Sequence, residues 1–433
     1  MAPPPSSARR VAAAGLIGTT IEWFDFFIYG TAAALVFNRL FFPEFEPVAG
    51  TVASFATFAV GFIARPLGGV LFAHLGDRHG RKPVLVASLL LMGLATVLMG
   101  VLPTYGTIGV AAPLLLTVLR FAQGIGVGGE WGGAALMAVE HAPEHRRGFY
   151  GSWPQIGVPA GLLLGNLTFS ALSAGLTEAE FLAWGWRVPF LCSALLIIVG
   201  FVIRLRISES PVFQRAAQRQ QHTRTPVLDV LREHPRVVAL AAGSFLATNA
   251  TFYVGTTWIV AYTTTTLGYE RTSILNANAL LSFVDIPLML AFGLLSDRIG
   301  RRGMSMAGMA GLAVFAVPYF LLVDSGSIML FLLGGIVVQV CRTAVYGPQS
   351  AYFSELFSTR FRYSGASLAY QLAAILGGGL APMICTALYG WTGSSMAIAG
   401  YVVVLCLISF GSSYLLAETF RKGLTDDPAP ART

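Results

Sequence analysis

GDRHGRK (residues 76–82) and SDRIGRR (296–302) are two versions of one basic sequence, and each follows a long apolar segment. A second pattern repeats with them, because Glu140 and Glu355 are each followed by an arginine seven residues later. Both patterns recur at close to half the chain length. Two separate motifs repeated at this distance predict an internal duplication, which is common in membrane transporters.

The composition is that of a chain that lies in a lipid bilayer. Of the 433 residues, 55% are hydrophobic and 11% are charged, and the mean hydropathy is +0.68, whereas soluble proteins carry about 25% charged residues. This excludes a disordered chain, a disulfide scaffold and an ordinary soluble enzyme. The net charge of +7 is distributed over short loops, so we expect no nucleic-acid partner. The four cysteines lie in apolar segments without CxxC spacing, which indicates neither a disulfide nor a zinc site.

Twelve segments are long and apolar enough to span the membrane, for which a helix needs about 20 residues. They are 13–38, 51–74, 84–103, 109–141, 149–173, 187–205, 236–266, 272–296, 303–323, 327–353, 362–389 and 393–417. The sequence therefore predicts an all-α integral membrane protein with twelve transmembrane helices in two pseudo-symmetric six-helix bundles. The predicted parts are an N-terminal bundle (1–205), a central cytoplasmic loop (206–235), a C-terminal bundle (236–418) and a short cytoplasmic tail (419–433).

The basic residues predict the orientation of these segments. With both termini in the cytoplasm, nearly all of the 28 lysines and arginines lie on the cytoplasmic side, as the positive-inside rule requires. The exceptions are Arg39, Arg187 and Arg271 on the outer side, and Arg65, Arg120 and Arg342 within the membrane. We therefore predict a multi-pass protein of the cell inner (cytoplasmic) membrane.

Six charged residues lie near the middle of the predicted spans: Arg65, Arg120, Arg342, Glu22, Asp25 and Asp285. Each costs about 2.5–3.5 kcal/mol to insert, so each needs a reason. They can be structural ion pairs that hold the helices together. They can also form a water-filled central site, in which arginine binds a carboxylate and a neighbouring acid carries a proton. Because Glu22, Asp25 and Tyr29 follow each other at spacings of three and four, we expect them on one helix face.

Glycine-rich stretches are common but do not indicate a nucleotide site. GIGVGG (124–129) fits the dinucleotide pattern, yet it lies inside a long apolar segment and follows no strand. Small residues at this density allow two membrane helices to approach closely. Since no phosphate-binding GxxxxGK[ST] motif is present either, we expect no cofactor, no metal and no ATP-driven step. Transport must then use an ion gradient.

Several long motifs resemble one transporter family. The two basic loops are similar to the signature of the major facilitator superfamily. The stretches that resemble its metabolite:proton symporter family are TTIEWFDFFIYG (19–30), ARPLGGVLFAHLGDRHGRKP (64–83), LRFAQGIGVGGEWGGA (119–134), ESPVF (209–213) and YGPQSAYFSELFSTRFRYSGAS (346–367). The N-terminal half most resembles shikimate permeases. The region around ATNATFYVGTTWIVAYTTT (247–265) resembles them less, so the cargo stays open between a shikimate-like carboxylate, a zwitterionic osmolyte, a dicarboxylate and an aromatic acid.

The resemblance implies alternating access and import coupled to protons. It implies that a gating motif closes the cytoplasmic side, with the residues Gly76, Asp77, Arg78, Gly80, Arg81, Asp297, Arg298, Gly300 and Arg301. Positive-inside charge alone explains the arginines of these loops, but it does not explain their aspartates and glycines. An aspartate can accept hydrogen bonds from the N-terminus of a neighbouring helix, where the dipole favours an anion.

The candidate site residues follow from these positions. For the substrate they are Arg120, Arg342, Arg65, Tyr29, Trp131, Gln155, Tyr346 and Gln371; for the proton they are Asp25, Glu22, Glu130 and Asp285. The glutamines can instead serve helix packing, and Trp131 can simply fill space. A proton-driven exporter of hydrophobic compounds is a further alternative, although three midplane arginines disfavour it. We expect a monomer that binds a small anionic or zwitterionic metabolite and protons.

Overall fold

A computed structural model describes residues 8–79, 81–128, 138–140, 142–206, 226–358 and 361–420. Within these ranges it gives the backbone alone for 8–15, 73–74, 76–79, 81–85, 202–206 and 226–228. The gating residues Gly76, Asp77, Arg78 and Arg81 are thus placed by their backbone only. Gly80, Glu130 and Trp131 lie outside the described residues.

The described chain is helical throughout. Its membrane helices, labelled in chain order, are α1 Ala8–Ala32, α2 Pro47–His79, α3 Arg81–Val101, α4 Ala111–Gly128, α5 Arg147–Gly175, α6 Val188–Arg206, α7 Pro235–Tyr253, α8 Arg271–Ile299, α9 Arg301–Asp324, α10 Ile328–Tyr346, α11 Arg362–Ala373 and α12 Ser395–Leu415. In this part of the chain, ten helices are long and apolar enough to cross a membrane. The shorter apolar helices Val86–Val101 and Gly185–Phe201 supply the third and sixth spans. The predicted all-α membrane architecture is confirmed.

Three helices change to wider π-helical turns along their length. These turns are Ala33–Phe37 after α1, Val254–Trp258 and Tyr262–Thr266 after α7, and Ala374–Gly379 after α11. The helices then continue as Asn38–Leu40, Ile259–Ala261 and Ala381–Thr392. Such turns are rare in proteins as a whole, and those that occur often lie at functional sites. Residues of α1, α7 and α11 do line the cleft described below.

Glycines hold α2 and α4 in close contact. A side-chain carbon at Gly61 would fall 2.5 Å from Nε of Arg120, so the absence of a side chain there makes room for that guanidinium. Gly124 packs on the backbone carbonyl of Gly61, and Gly128 packs on that of Arg65. This is the close helix approach that small residues permit in a membrane. The glycine-rich stretch of α4 therefore serves packing, and the packing fixes two of the buried arginines.

Short helices occur where the sequence predicts loops. The membrane helix α2 extends to His79, five residues beyond its predicted end. The short helix Pro226–Glu233 lies within the predicted central loop and packs against α7 and α11. Val230 is fully buried while Arg232 and Glu233 are exposed. This segment is too short and too polar to span a membrane, so a search for 20-residue apolar runs cannot find it. Further short helices are Tyr105–Ile108, Glu144–Arg146, Gln349–Leu356, Glu178–Ala183 and Gly185–Arg187.

Candidate functional site

One complete ion pair lies in the middle of the second half. Arg342 of α10 donates to one carboxylate oxygen of Asp285 of α8, and the hydroxyl of Thr343 donates to the other. Nε of Arg342 also donates to Oε1 of Gln339 at 2.8 Å. Arg342 and Asp285 are 2% and 1% exposed. The charges therefore neutralise each other, and neither oxygen of Asp285 lacks a donor.

Two arginines of the first half have no acidic partner among the described residues. The guanidinium carbons of Arg65 and Arg120 lie 4.3 and 4.0 Å from the ring centroid of Phe26. Arg120 donates to Gln123, but Nε and one Nη of each arginine have no hydrogen-bond partner in the described part of the chain. Aromatic faces stabilise a cation by roughly 0.5–2 kcal/mol each. This is less than the cost of burying a charge without a counter-charge, so the aromatic faces offset only part of the cost of burying these two arginines.

A layer of aromatic rings separates these arginines from the second half. Phe26, Phe58 and Phe62 pack around Tyr253 of α7, with the centroids of Phe62 and Tyr253 5.1 Å apart. Arg65 lies beside the hydroxyl of Tyr253. Tyr29 donates to the hydroxyl of Thr57 at 2.6 Å, and its ring covers Arg120 at 4.2 Å. Arg65 and Arg120 are therefore enclosed in this conformation.

Asp25 is buried but forms no ion pair in the described residues. Its carboxylate lies beside Ser193 of α6, and neither oxygen has a hydrogen-bond partner there. Its backbone carbonyl accepts a hydrogen bond of 3.1 Å from Gln123, the residue that also contacts Arg120. Glu22, one turn earlier, is partly exposed. The structure thus places Asp25 against α6 and pairs Asp285 with Arg342.

A narrow cleft lies between the two halves at this level. Its charged group is Arg342. Its polar groups are Thr248, Asn249, Tyr253, Tyr346 and Tyr370, and its apolar walls are Trp23, Val158, Phe245 and Phe252. The hydroxyl of Thr248 has no hydrogen-bond partner among the described residues although the side chain is buried. One cation, several hydroxyl and amide groups and flat aromatic walls can together bind an anion on a hydroxylated ring.

The structure places the predicted substrate residues at different distances from this cleft. Arg342 and Tyr346 line it. Gln155 of α5 accepts a hydrogen bond of 3.1 Å from the hydroxyl of Tyr346, across the two halves. Gln371 is buried next to Tyr370, and its Oε1 has no partner in the described chain.

The sequence analysis did not identify the wall that α7 supplies. Its residues Phe245, Thr248, Asn249, Phe252 and Tyr253 follow helical spacing, so they lie on one face. None is charged at neutral pH, and a search for midplane charges passes over them. The available signal was Thr248 and Asn249, because polar side chains inside a membrane helix usually face other helices or a cavity.

The second basic loop closes one side of the molecule, which we call the basic side. Asp297 at the end of α8 accepts hydrogen bonds from the backbone N–H groups of Gly148 (2.8 Å) and Phe149 (3.0 Å) in the first turn of α5. A carboxylate at a helix N-terminus also interacts favourably with the helix dipole. Arg301 bonds Asp297 at 2.7 Å and Glu355 at 3.3 Å. The loop therefore joins the two halves.

The segment after α12 takes part in this closure. Glu418 accepts hydrogen bonds from the backbone N–H groups of Arg301 (2.8 Å) and Arg302 (3.0 Å) at the start of α9. Gly300 has a φ of +105°, which favours glycine, and a side-chain carbon there would collide with Glu418. Thr419 donates to Glu355 at 2.6 Å. The C-terminal segment thus caps α9 and supports the contacts of Arg301.

One of the repeated glutamates pairs with a repeated arginine of the other half. Glu140 of the first copy lies 3.7 Å from Arg362 of the second. On the opposite side of the molecule, Glu178 bridges Arg39 (2.7 Å) and Arg271 (2.6 Å). The cleft is therefore closed by polar contacts on both sides.

Replacing Asp297 with alanine is expected to loosen the start of α5. Each lost hydrogen bond to a charged acceptor contributes about 1.5–3 kcal/mol, so exchange of the amide hydrogens of Gly148 and Phe149 should accelerate roughly 10- to 100-fold. Hydrogen exchange followed by mass spectrometry measures this directly. Asp324→Ala, which removes hydrogen bonds to Tyr262 and Ser395 on the opposite side, is the control. If exchange at the start of α5 is unchanged in Asp297→Ala, the hydrogen bonds to Asp297 do not hold the two halves together.

Comparison with known proteins identifies relatives over nearly the whole chain. Residues 15–369 match the family described as Major Facilitator Superfamily. The chain is 44% identical over 423 residues to the inner membrane metabolite transport protein YhjE of Escherichia coli, covering 94% of this chain and 95% of the relative. It is 40% identical over 424 residues to the shikimate transporter of the same organism, covering 96% of each. The proline/betaine transporter of Escherichia coli is 33% identical over 430 residues, covering 96% of this chain and 85% of the relative.

Solved structures share the fold. The proton:xylose symporter XylE superposes with a TM-score of 0.74 over 95% of both chains at 16% sequence identity. A partially occluded, inward-open structure of XylE from Escherichia coli also has a TM-score of 0.74, over 96% of this chain and all of the other. At these identities the likeness concerns the arrangement of helices and not the cargo.

Proposed function

Because the chain belongs to the major facilitator superfamily and its close relatives are metabolite transporters, we propose that it imports a small, shikimate-like organic carboxylate by proton symport. Members of this family are transporters, so the chain is a multi-pass membrane transporter and not an enzyme. The two bundles, 1–205 and 236–418, would alternately open the central cleft to either side of the membrane. One pair of bundles encloses the whole path, so the transporter acts as a monomer.

The observation that carries this proposal is the set of buried arginines around the closed cleft. Arg342 faces the cleft, and Arg65 and Arg120 lie behind its aromatic wall without an acidic partner in the described chain. A guanidinium matches a carboxylate in charge and in its forked geometry. A carboxylate that enters the cleft pairs with Arg342. When the rings of Phe26 and Tyr253 shift, the same anion can reach Arg120.

The hydroxyl and aromatic groups of the cleft suit the rest of such a molecule. Thr248 has an unpaired hydroxyl, and Asn249 and Tyr370 add further hydrogen-bonding groups. Trp23 and Phe252 offer flat apolar faces to a ring. A hydroxylated cyclic carboxylate uses all three kinds of contact.

Proton coupling is assigned to the buried carboxyl groups. Asp285 competes with the substrate for Arg342, and Asp25 has no charged partner among the described residues. Glu22 and Glu130 are further candidates for the carboxyl group that carries the proton. The positive-inside rule puts the basic side in the cytoplasm together with both termini, so substrate and proton enter from the opposite side across the inner membrane.

A zwitterionic cargo is the second candidate, and the aromatic walls favour it. Trp23, Phe245 and Phe252 can hold a quaternary ammonium group through cation–π contacts while Arg342 binds its carboxylate. The similarity to a proline/betaine transporter points the same way. A dicarboxylate is a third candidate, in which the second carboxylate would pair with Arg65 or Arg120.

Uptake by proteoliposomes separates these cargoes. Labelled shikimate should accumulate when the outer solution is more acidic than the lumen, and an excess of unlabelled shikimate or close analogues should block this accumulation. Betaine, proline, succinate and benzoate form the competitor panel. If labelled shikimate is not transported and labelled betaine or a labelled dicarboxylate accumulates instead, the symporter remains and its proposed cargo is wrong. Entry of labelled carboxylates at the same rate without the gradient would refute proton coupling.

A further inference from the structure

A single buried amide, that of Gln123 in α4, contacts Arg120 and joins three helices. Gln123 is fully buried. Its Oε1 accepts a hydrogen bond from Arg120, three residues earlier on the same helix. Its Nε2 donates to the backbone carbonyl of Asp25 in α1 at 3.1 Å and to the hydroxyl of Thr96 in α3 at 2.8 Å. Both ends of the amide are therefore bonded, and the side chain is fixed between α1, α3 and α4.

The neighbours of the amide determine which of its ends faces Arg120. The oxygen and the nitrogen of an amide are nearly alike in shape, so their hydrogen-bond partners decide the orientation. The carbonyl of Asp25 can only accept. Thr96 donates its own hydrogen to the backbone carbonyl of Met92 at 2.9 Å, so its oxygen serves Gln123 as an acceptor. The nitrogen of the amide must face these two acceptors, which leaves the oxygen for the guanidinium of Arg120.

The other groups around Arg120 hold it in place without a counter-charge. The ring centroids of Phe26 and Tyr29 lie 4.0 and 4.2 Å from its guanidinium carbon. The missing side chain of Gly61 leaves the space that Nε occupies. In the described part of the chain, Gln123 is the acceptor that this guanidinium bonds, and it is neutral. The direction of the guanidinium is therefore set by uncharged groups, and its charge is not compensated by them.

The second half contains the same pair of residues with an acid added. Nε of Arg342 donates to Oε1 of Gln339, which lies three residues away on the same helix. The guanidinium of Arg342 also bonds the carboxylate of Asp285. An amide thus holds the central arginine in each half, whereas among the described residues only the second half adds an acid. Arg120 keeps a charge that Arg342 shares with Asp285.

We propose that Gln123 is the positioning residue of Arg120: it fixes the guanidinium through a neutral acceptor, so that the positive charge stays available for the substrate carboxylate. The inference rests on the proposed function. A carboxylate that reaches Arg120 then meets a side chain that is already ordered, and it displaces no internal acid. Ordering a flexible side chain on binding and separating an existing ion pair would both weaken binding. Gln123 itself does not contact the substrate, and its effect passes through Arg120.

Two substitutions of Gln123 distinguish positioning from helix packing. Gln123→Glu keeps the shape and an acceptor for Arg120 but adds an internal counter-charge. Gln123→Met keeps the length and removes the acceptor without adding a charge. The same two substitutions of Gln349, a buried glutamine on the short helix Gln349–Leu356 of the second half, are the matched controls. KM and Vmax are measured in proteoliposomes under an imposed proton gradient, with labelled shikimate or with the member of the panel that the wild type accumulates. The melting temperature is measured in detergent without substrate.

In Gln123→Glu, KM should rise at least about tenfold while Vmax stays within about twofold of wild type, because the new carboxylate competes with the substrate for Arg120. The melting temperature should rise, since a buried arginine gains a counter-charge. In Gln123→Met, KM should rise about three- to tenfold, the factor that corresponds to ordering one side chain on binding. Both Gln349 variants should leave KM within about twofold of wild type.

Three results would overturn the inference. The first is a KM within about twofold of wild type in Gln123→Glu, or an equal rise in Gln349→Glu; the symporter then stands and the positioning role does not. The second is a lower Vmax and a lower melting temperature with unchanged KM in the Gln123 variants, which describes a residue of helix packing. If Gln123→Glu yields no folded protein, Gln123→Met decides by the same criteria. The third is wild-type vesicles that accumulate neither shikimate nor any other member of the panel, which refutes the proposed function and the inference with it.

Discussion

Replacing Arg120 with methionine is expected to abolish substrate uptake while the folded protein becomes more stable. The guanidinium is fully buried, has no acidic partner among the described residues and lies close to a second unpaired arginine, Arg65. Removing an arginine that pairs with an anion in the transport cycle costs about 2–5 kcal/mol, so uptake should fall at least about 30-fold. Removing an unpaired charge from the membrane interior should stabilise the protein by about 1–3 kcal/mol after the loss of its aromatic contacts.

Two measurements and one control make this prediction specific. Initial uptake rates are measured in proteoliposomes, and the melting temperature is measured in detergent without substrate. Arg187→Met is the control, because Arg187 donates to the backbone carbonyls of Gly100 and Leu102 and lies over the ring of Trp186; it should lower the melting temperature and preserve uptake. Near-normal uptake by Arg120→Met would remove Arg120 from the site, and a lower melting temperature would show that it is a structural residue.

Breaking the ion pair of Asp285 and Arg342 is expected to have the second largest effect. Asp285→Asn leaves the guanidinium of Arg342 without a negative partner, and Arg342→Gln leaves the carboxylate of Asp285 without a positive partner. Each should destabilise the protein by about 3–5 kcal/mol, because an uncompensated charge remains buried. Gradient-driven accumulation should be lost in both.

The double variant Asp285→Asn/Arg342→Gln separates stability from transport. Two neutral amides of similar size replace the pair, so most of the lost stability should return, whereas accumulation should not. Arg271→Gln is the comparison, because Arg271 pairs with the half-exposed Glu178 and such surface pairs contribute about 0–1 kcal/mol. A double variant that accumulates substrate like the wild type would exclude both residues from the transport cycle.

The two halves of the chain use equivalent positions differently. Arg65 and Asp285 each lie twelve residues before the aspartate of their basic loop. In the first half the position carries a cation without an acidic partner among the described residues, and in the second half it carries the acid of an ion pair. In the proposed cycle the first half therefore attracts the anion, and the acid of the second half takes up a proton when the substrate carboxylate pairs with Arg342.

The sequence predicts the fold well because the membrane simplifies the problem. The length of a span, the side on which a basic loop lies and the level of a repeated motif are all positions along one dimension, the membrane normal. The same depth argument placed Arg65, Arg120, Arg342 and Asp285 near the middle of their helices. It also predicted a helix face shared by Glu22, Asp25 and Tyr29; Asp25 and Tyr29 are buried, and Glu22 is partly exposed.

Partners could not be predicted, because depth does not give the direction in which a side chain points. Asp25 and Arg120 lie at similar levels, yet the aspartate faces α6 and the arginine faces Phe26 and Tyr29. The wall supplied by α7 was missed for a different reason: Thr248 and Asn249 carry no charge, and their role depends on which helix lies opposite. The helix Pro226–Glu233 was missed because it lies on the surface of the bundle and spans nothing.

Proton movement caused by substrate tests the central claim most directly. Shikimate is added to a weakly buffered suspension of proteoliposomes with no gradient imposed, and the outer pH is recorded while uptake of label is followed. The outer solution should become more alkaline as shikimate enters, with one proton taken up per molecule. The change should disappear in Asp285→Asn/Arg342→Gln. Entry of labelled shikimate into wild-type vesicles with no change in outer pH would contradict the account.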